Sequence, residues 1–236
     1  MAPPLPAVPM PSGLRDVVAP AASRSTPLAL SDETRRAAAA ALPPPGDQAI
    51  GWVVAIESVA AACQGIALVA AADASSIRTS VGASQWSGCR GVDLDAMRAG
   101  ARVGQSWQLA VTATLVGAGR AAVDAAIAAL RAARESGTPN PAAQPAVADA
   151  ATAVDGSRLL LWEAATTGAA AAGHLARLHV LDAVATALSA VEEAAGPDAF
   201  RAGTALDRLR RDAVTVATVL GGAADAREAL GARLPS

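Results

Sequence analysis

The chain has 236 residues, of which 53% are hydrophobic and 17% charged, and its formal net charge is −2. This length suits one sizeable domain or two small ones. All 19 basic residues are arginine, and they form no clustered basic face, so the composition argues against nucleic-acid binding. Alanine dominates the hydrophobic fraction. Because alanine favours helices and is depleted in strands, the composition predicts an all-α fold.

The first part of the chain is rich in proline, and we predict that residues 1–46 form a mobile tail with one short helix. Ten of the fifteen prolines lie there, and proline removes backbone donors and fixes φ. No basic segment precedes an apolar stretch, so we expect no signal peptide. The most apolar run, Val59–Ala72, is shorter than the roughly 20 residues that a membrane helix needs. We therefore expect a cytoplasmic protein without a membrane segment, in which Cys63 and Cys89 are reduced thiols.

Residues 47–104 form the second predicted segment, which begins as a helix and then becomes irregular. Apolar residues with helical spacing run from Asp47 to about Asp73 and predict a buried face, formed by Trp52, Ile56, Val59, Cys63, Ile66 and Ala70. From Ala74 to Gly104 the glycines and serines break this pattern. Only Ile77–Val81 could form a short strand. A loop of some thirty residues is unusual inside a compact domain.

The remainder of the chain, residues 105–236, predicts an up-down four-helix bundle. The first helix spans 105–136, the second runs from about 141 to 168, and the third ends near residue 195. The predicted buried stripes are Trp107, Val111, Thr114, Ala118, Ala122, Ala125 and Ala129 in the first helix; Val147, Ala150, Val154, Leu161 and Ala165 in the second; Leu175, Leu178, Leu181, Ala185 and Leu188 in the third; and Leu206, Leu209, Ala213, Val216 and Leu220 in the fourth. Gly117 and Gly119 are expected to permit close helix approach.

No set of residues in the sequence has the spacing of a catalytic or metal site. His174 and His179 are five residues apart, whereas two metal ligands on one helix face need a spacing of three or four. We predict no metal. Asp155, Arg158 and Glu163 are expected to form ion pairs on a helix surface. No nucleophile, base and orienting group occur together.

Four segments of the chain, taken in order, resemble the C-terminal part of the acyl-CoA dehydrogenase family, including the branch that contains flavin-dependent hydroxylases. They are SGCRGVDL, LAVTATLVGAGRAAVDAAIAAL, QPAVADAATAVDGSRLLLWEAA and ALDRLRRDAVTVATVLGG, within residues 84–233. The resemblance implies a four-helix bundle of the acyl-CoA dehydrogenase C-terminal type, preceded by extra helices and a largely lost β-domain. Residues 47–104 would then be a helical segment plus an irregular remnant of the family's N-terminal and middle domains.

The resemblance also assigns family positions to particular residues. Leu220 stands where many members carry a catalytic glutamate, and a leucine cannot accept a proton. Gly196-Pro197 stands where a glycine pair contacts the cofactor pyrophosphate, and proline has no N–H to offer. Glu193, Arg211 and Asp212 occupy the other candidate cofactor positions. The family's aromatic and arginine positions after the first bundle helix are replaced around residues 133–137.

Three functions are consistent with these residues. The first is a catalytically degenerate bundle that forms a homo-oligomer, or a hetero-oligomer with a full-length acyl-CoA dehydrogenase-like flavoprotein subunit. The second is an active oxidoreductase that binds FAD and acts on an acyl-CoA thioester or hydroxylates a small molecule. The third is a helical bundle reused for unrelated binding. The missing base at Leu220 favours the first.

Overall fold

The computed structural model describes residues 28–29, 49–62, 67, 89–90, 105–202, 204–219 and 222–232. Within these ranges the elements, in chain order, are β1 (Leu28–Ala29), α1 (Ala49–Ala62), β2 (Cys89–Arg90), α2 (Gln105–Glu135), α3 (Ala143–Thr167), α4 (Ala170–Ala195), a 3-10 helix (Gly196–Phe200), α5 (Ala205–Val219) and α6 (Gly222–Gly231).

Helices α2 to α5 form the predicted bundle, and α1 packs against α2 as an additional helix. The connections between α2, α3 and α4 are short, as expected for antiparallel neighbours. Helices α3 and α4 make the most extensive contact. Trp52, Ile56 and Val59 of α1 are buried as the sequence predicted. The all-α bundle with a preceding helix is therefore confirmed.

Helix α2 is the central element of the bundle, and its first half is surrounded by protein. All residues from 109 to 119 are buried. By length and composition alone, Gln105–Glu135 could cross a membrane. However, 56% of its most apolar window is already buried within the protein, which is typical of a core helix. Most of the run from Val59 to Ala72 lies outside the described residues.

The predicted buried face is confirmed for α3 and only partly correct for α4, where Leu178, Leu181 and Leu188 are partly buried. Every predicted position in α3 is buried. In α4, Leu175 is 40% exposed and Ala185 is also exposed. The face that packs into the bundle consists of smaller residues: Ala176, Val180, Ala183, Val184, Ala187, Ala190, Val191 and Ala194. Small side chains let neighbouring helices approach closely, so the larger leucines lie at the margin of the contact.

The N-terminal segments are described only in part. Residues of β1 pair in parallel with β2, Leu28 with Cys89 and Ala29 with Arg90, so at these two positions the expected irregular tail is replaced by a strand. The remaining tail, the expected short helix before residue 46, the candidate strand Ile77–Val81 and the thiol of Cys63 lie outside the described residues. Their predictions stay predictions.

The C-terminal segment contains two helices, α5 and α6, where the sequence indicated one. In α5, Ala213 and Val216 are buried, and Leu206 and Leu209 are partly buried, as predicted. Leu220 and Gly221 lie outside the described residues.

Thr204 caps the N-terminus of α5, and its removal provides a first prediction. Its hydroxyl accepts a hydrogen bond from the backbone N–H of Asp207 (3.2 Å) and donates to the carbonyl of Arg201 (2.9 Å). Replacing Thr204 by alanine should lower the free energy of unfolding by about 1 kcal/mol, measured by urea denaturation. Thr152→Ala, at an exposed position within α3, should change it by less than about 0.5 kcal/mol. Equal effects of the two substitutions would contradict the cap.

Candidate functional site

Two of the family-position residues, Glu193 and Gly196, lie at one end of the bundle. Glu193 and Gly196 lie at the C-terminal end of α4, which leads directly into the 3-10 helix. The turn between α2 and α3 reaches the same place, because the side-chain amide of Asn140 donates to the backbone carbonyl of Glu193 (3.0 Å). The side chain of Glu193 itself is exposed. This bundle end is the first candidate site.

Gly196 adopts a backbone conformation that glycine permits, and its backbone N–H already donates a hydrogen bond within the chain. Gly196 has φ +57° and ψ −138°, a region that other residues rarely occupy. Its N–H donates to the carbonyl of Glu192. The next residue, Pro197, has no N–H. Neither of these two residues therefore offers a backbone donor to a phosphate group.

Arg210 and Arg211, which belong to the family-like segment ALDRLRRDAVTVATVLGG, form ion pairs within the chain. Arg211 lies 2.8 Å from Asp207, one helical turn earlier. Arg210 lies 3.8 Å from both Asp207 and Glu192, so it connects α5 to the end of α4. Arg211 is 51% exposed, and an exposed intrahelical pair contributes only about 0.3–0.5 kcal/mol. The two arginines are therefore partly neutralised by carboxylates of the same chain.

Arg211 and Asp212, which are adjacent in the sequence, lie in different environments in the structure. Arg211 is exposed, whereas Asp212 is only 4% exposed and makes its contacts inside the protein. Asp207 is also buried, at 8% exposure. Asp212 was not among the predicted buried positions of this helix, so its burial was not anticipated. Of the four cofactor candidates, Glu193 and Gly196 lie together, while Arg211 and Asp212 do not share a surface.

A groove of about 190 Å³ lies where α2 ends and α3 begins. Apolar and polar side chains both line it: Ile127, Leu130, Arg131, Arg134, Pro139, Asn140 and Gln144. Arg131 and Arg134 are exposed and lie three residues apart, so they share one side of the last turns of α2. This combination suits a molecule with an anionic group and an apolar part. The sequence signal that could have revealed it is the spacing of these arginines.

A buried ion-pair network joins α1 to the bundle, and it was not predicted. The carboxylate of Glu57 is fully buried and lies 2.6 Å from Arg120 Nη1 and 2.9 Å from Arg158 Nε. Arg158 is 1% exposed, and its guanidinium lies 4.6 Å from the ring centroid of Trp162. The prediction that Arg158 belongs to a helix-surface ion pair is therefore wrong. Its partner Glu57 is 101 residues away in the chain, beyond any local spacing rule.

The Glu57 network is better suited to holding α1 in place than to proton transfer. Both carboxylate oxygens accept hydrogen bonds from guanidinium groups: Oε1 from Arg120 and Oε2 from Arg158. With both oxygens engaged by guanidinium groups and the side chain fully buried, the carboxylate has no described access to a substrate proton. We therefore interpret Glu57 as the counterion that fixes α1 against α2 and α3.

Among the residues that the structure describes, the remaining ionisable groups form no cluster suited to catalysis. Burial lowers the pKa of Arg177, and Asp225 of α6, 3.9 Å away, partly opposes this change. His174 is partly buried and His179 is exposed. No group of three histidine, cysteine, aspartate or glutamate side chains that could hold a metal occurs in the described part of the chain.

Comparison with known proteins gives similarity only at the level of structure. No family model and no curated protein matches the chain. It is similar to a solved glutaryl-coenzyme A dehydrogenase in complex with glutaryl-CoA, at 23% identity and a TM-score of 0.51, over 61% of this chain and 38% of that one. It is also similar to 3-HSA hydroxylase from Rhodococcus sp. RHA1, at 13% identity and a TM-score of 0.58, over 94% of each chain.

These similarities concern the fold, because both identities are low. The matched region spans little more than a third of the glutaryl-coenzyme A dehydrogenase chain. The helices of this protein thus have the fold of the acyl-CoA dehydrogenase C-terminal helical domain.

Proposed function

We propose that this protein is a catalytically degenerate acyl-CoA dehydrogenase-like bundle that acts by associating with a second bundle of the same type. The pairing of the motif arginines within the chain carries this proposal. Arg210 and Arg211 lie within 4 Å of carboxylates of Glu192 and Asp207, so an anionic ligand would compete with these carboxylates for them. The N–H of Gly196 is likewise used inside the chain.

The second bundle is either another copy of this chain or a full-length flavoprotein subunit. Several elements expose a large apolar side chain, and one of these side chains is a phenylalanine, a residue type enriched at protein interfaces. In the described part of the chain these residues are Ile50, Leu159, Leu175, Phe200 and Val214. Pairing with a flavoprotein subunit would let this bundle stabilise or complete a site whose chemistry the partner supplies.

Four measurements on the purified protein test this proposal. We expect a colourless protein, no saturable change in FAD fluorescence on titration, and a mass by light scattering above that of a single 23.2 kDa chain. A degenerate bundle should also leave a small panel of acyl-CoA thioesters unchanged. A yellow protein that retains stoichiometric flavin and oxidises an acyl-CoA on its own would overturn the proposal.

The second candidate is an active FAD-dependent oxidoreductase, and the groove beside the α2–α3 turn favours it. The family resemblance makes FAD the implied cofactor, whose diphosphate is anionic. Arg131 and Arg134 could pair with such a group, and Asn140 and Gln144 could donate hydrogen bonds to it. When bound, FAD would supply the redox chemistry. Loss of FAD binding on replacing both arginines by glutamine would support this candidate.

A further inference from the structure

The groove at the turn between α2 and α3 is apolar at its base and positively charged at its edge. Its two apolar residues from α2, Ile127 and Leu130, are partly buried. Arg131 and Arg134 lie one helical turn further along the same face and are exposed. Pro139 adds an apolar side chain from the turn. The volume of about 190 Å³ is below the roughly 300–1,000 Å³ of sites for drug-sized molecules, so the groove suits a smaller ligand.

Arg131 and Arg134 differ from most of the described arginines because no carboxylate of the described chain pairs with them. Glu135 is next to Arg134 in the sequence, yet no ion pair forms between any described carboxylate and either arginine within 4 Å. The arginines that do lie within 4 Å of a carboxylate are Arg120, Arg158, Arg177, Arg201, Arg210 and Arg211. Two like charges on one helix face repel each other, and an anion bound between them would remove this repulsion.

Hydrogen bonds fix the turn that closes the groove. The side-chain amide of Asn140 donates to a backbone carbonyl at the end of α4 (3.0 Å). The backbone N–H of Thr138 donates to the carbonyl of Ala133 (2.9 Å), and that of Gly137 donates to the carbonyl of Arg134 (3.2 Å). Carbonyls at the C-terminal end of a helix repel anions less when they accept such bonds. A groove with a fixed wall also loses little conformational entropy when a ligand binds.

We propose that this groove binds a small organic carboxylate with a short apolar chain. The carboxylate pairs with Arg131 and Arg134, since a guanidinium can donate two parallel hydrogen bonds to a carboxylate. The chain lies against the apolar residues at the base of the groove. This inference goes beyond the association proposed above and does not depend on it. It differs from the second candidate in the ligand, because a groove of this size holds one group of a dinucleotide and not the whole molecule.

A titration of the ¹⁵N-labelled protein with hexanoate, followed by NMR, tests the inference. The side-chain amides of Asn140 and Gln144 line the groove and report binding there. Their signals should shift saturably with a Kd of about 1 mM, an ordinary affinity for so small a ligand. Butyrate should bind about tenfold more weakly, because each buried CH₂ contributes up to about fourfold. Hexanol has no charge and inorganic phosphate has no chain, so each should bind at least about tenfold more weakly than hexanoate.

A pair of matched variants assigns the binding to the two arginines. Arg131→Gln combined with Arg134→Gln should weaken hexanoate binding by about twentyfold. Arg227→Gln makes the same chemical change at an exposed position of α6 and should leave the Kd within about twofold of the parent. All three side chains are exposed, so both variants should keep their helical circular dichroism. If the arginines only complemented the dipole at the end of α2, their loss would lower stability and leave the hexanoate affinity unchanged.

Three results would overturn the inference. The first is a titration in which hexanoate gives no saturable shift of the Asn140 and Gln144 signals. The second is equal binding by the double arginine variant and the Arg227 variant. The third is a shift of these signals by FAD but not by hexanoate, which would favour the second candidate instead. A protein that binds hexanoate but has the mass of a single chain would contradict the proposed association and support the inference, so the two can fail separately.

Discussion

Replacing Glu57 by glutamine is expected to lower the free energy of unfolding by about 3–5 kcal/mol, the usual cost of removing one member of a buried ion pair. Glu57 is fully buried, and Arg158 is 1% exposed. Without the carboxylate, the guanidinium of Arg158 stays in the interior and loses the negative charge that faces it. Arg120 is 24% exposed and can turn towards water, so most of the penalty should come from Arg158. Urea denaturation followed by tryptophan fluorescence measures the change.

Glu163→Gln is the matched control for this prediction, because it makes the same chemical change at an exposed position of α3. Its effect should be within about 0.5 kcal/mol. A second test combines Glu57→Gln with Arg158→Met, which removes the buried charge along with its partner. A buried ion pair replaced by apolar side chains is often no less stable than the original, so the double variant should regain much of the loss. Equal stability of Glu57→Gln and Glu163→Gln would contradict the network's role.

The helices of the bundle were predictable because local signals define them. Glycine and proline mark the turns at residues 137–141, and the second bundle helix carries a regular stripe from Val147 to Ala165 that is buried in the structure. Hydrophobic periodicity identifies an apolar face well when its residues differ in polarity from the rest of the helix. In α4 the leucines and the smaller apolar residues lie on different sides of the helix, and the leucines suggested a face that close helix packing assigns to alanine and valine.

The network and the candidate site depended on contacts between distant residues. Glu57 is separated from Arg120 by 63 residues and from Arg158 by 101, so only the fold reveals that they meet. The helical spacing from Asp155 to Glu163 offered Arg158 a local partner that proved misleading. The family resemblance correctly indicated the bundle. It could not indicate that Arg211 pairs with Asp207 or that Asp212 is buried, because these depend on how this α5 is packed.

Replacing Gly117 by alanine is expected to lower the free energy of unfolding by about 3 kcal/mol, at the upper end of the cost of overpacking. A Cβ built at Gly117 would lie 2.5 Å from the backbone oxygen of Glu57, 2.7 Å from the Cβ of Ala60 and 2.8 Å from the backbone nitrogen of Ala61. Two of these three atoms belong to the backbone of α1 and the third is fixed to it. None can rotate away, so α1 would have to move from α2.

Two other glycines in helices provide controls for the Gly117 substitution. A Cβ at Gly119 would lie 2.9 Å from a methyl group of Val154, which can shift, so Gly119→Ala should cost no more than about 1 kcal/mol. A Cβ at Gly156 would meet nothing within 4 Å, and Gly156→Ala should stabilise α3 by about 0.5–1 kcal/mol through its helix propensity. Urea denaturation should rank Gly117→Ala as the least stable variant, followed by Gly119→Ala and then Gly156→Ala. A different order would contradict the close approach of α1 to α2.

Gly117 and Glu57 act on the same contact, so their substitutions should not be additive. Moving α1 away from α2 in Gly117→Ala also draws Glu57 away from Arg120, so part of the ion-pair network is lost before Glu57 is changed. The double variant Gly117→Ala with Glu57→Gln should therefore lose less stability than the sum of the single losses, by about 1 kcal/mol or more. Hydrogen exchange should show faster exchange in α1 in both single variants, while the buried amides of α3 stay protected. Strictly additive losses would mean that the glycine contact and the ion pairs hold α1 independently.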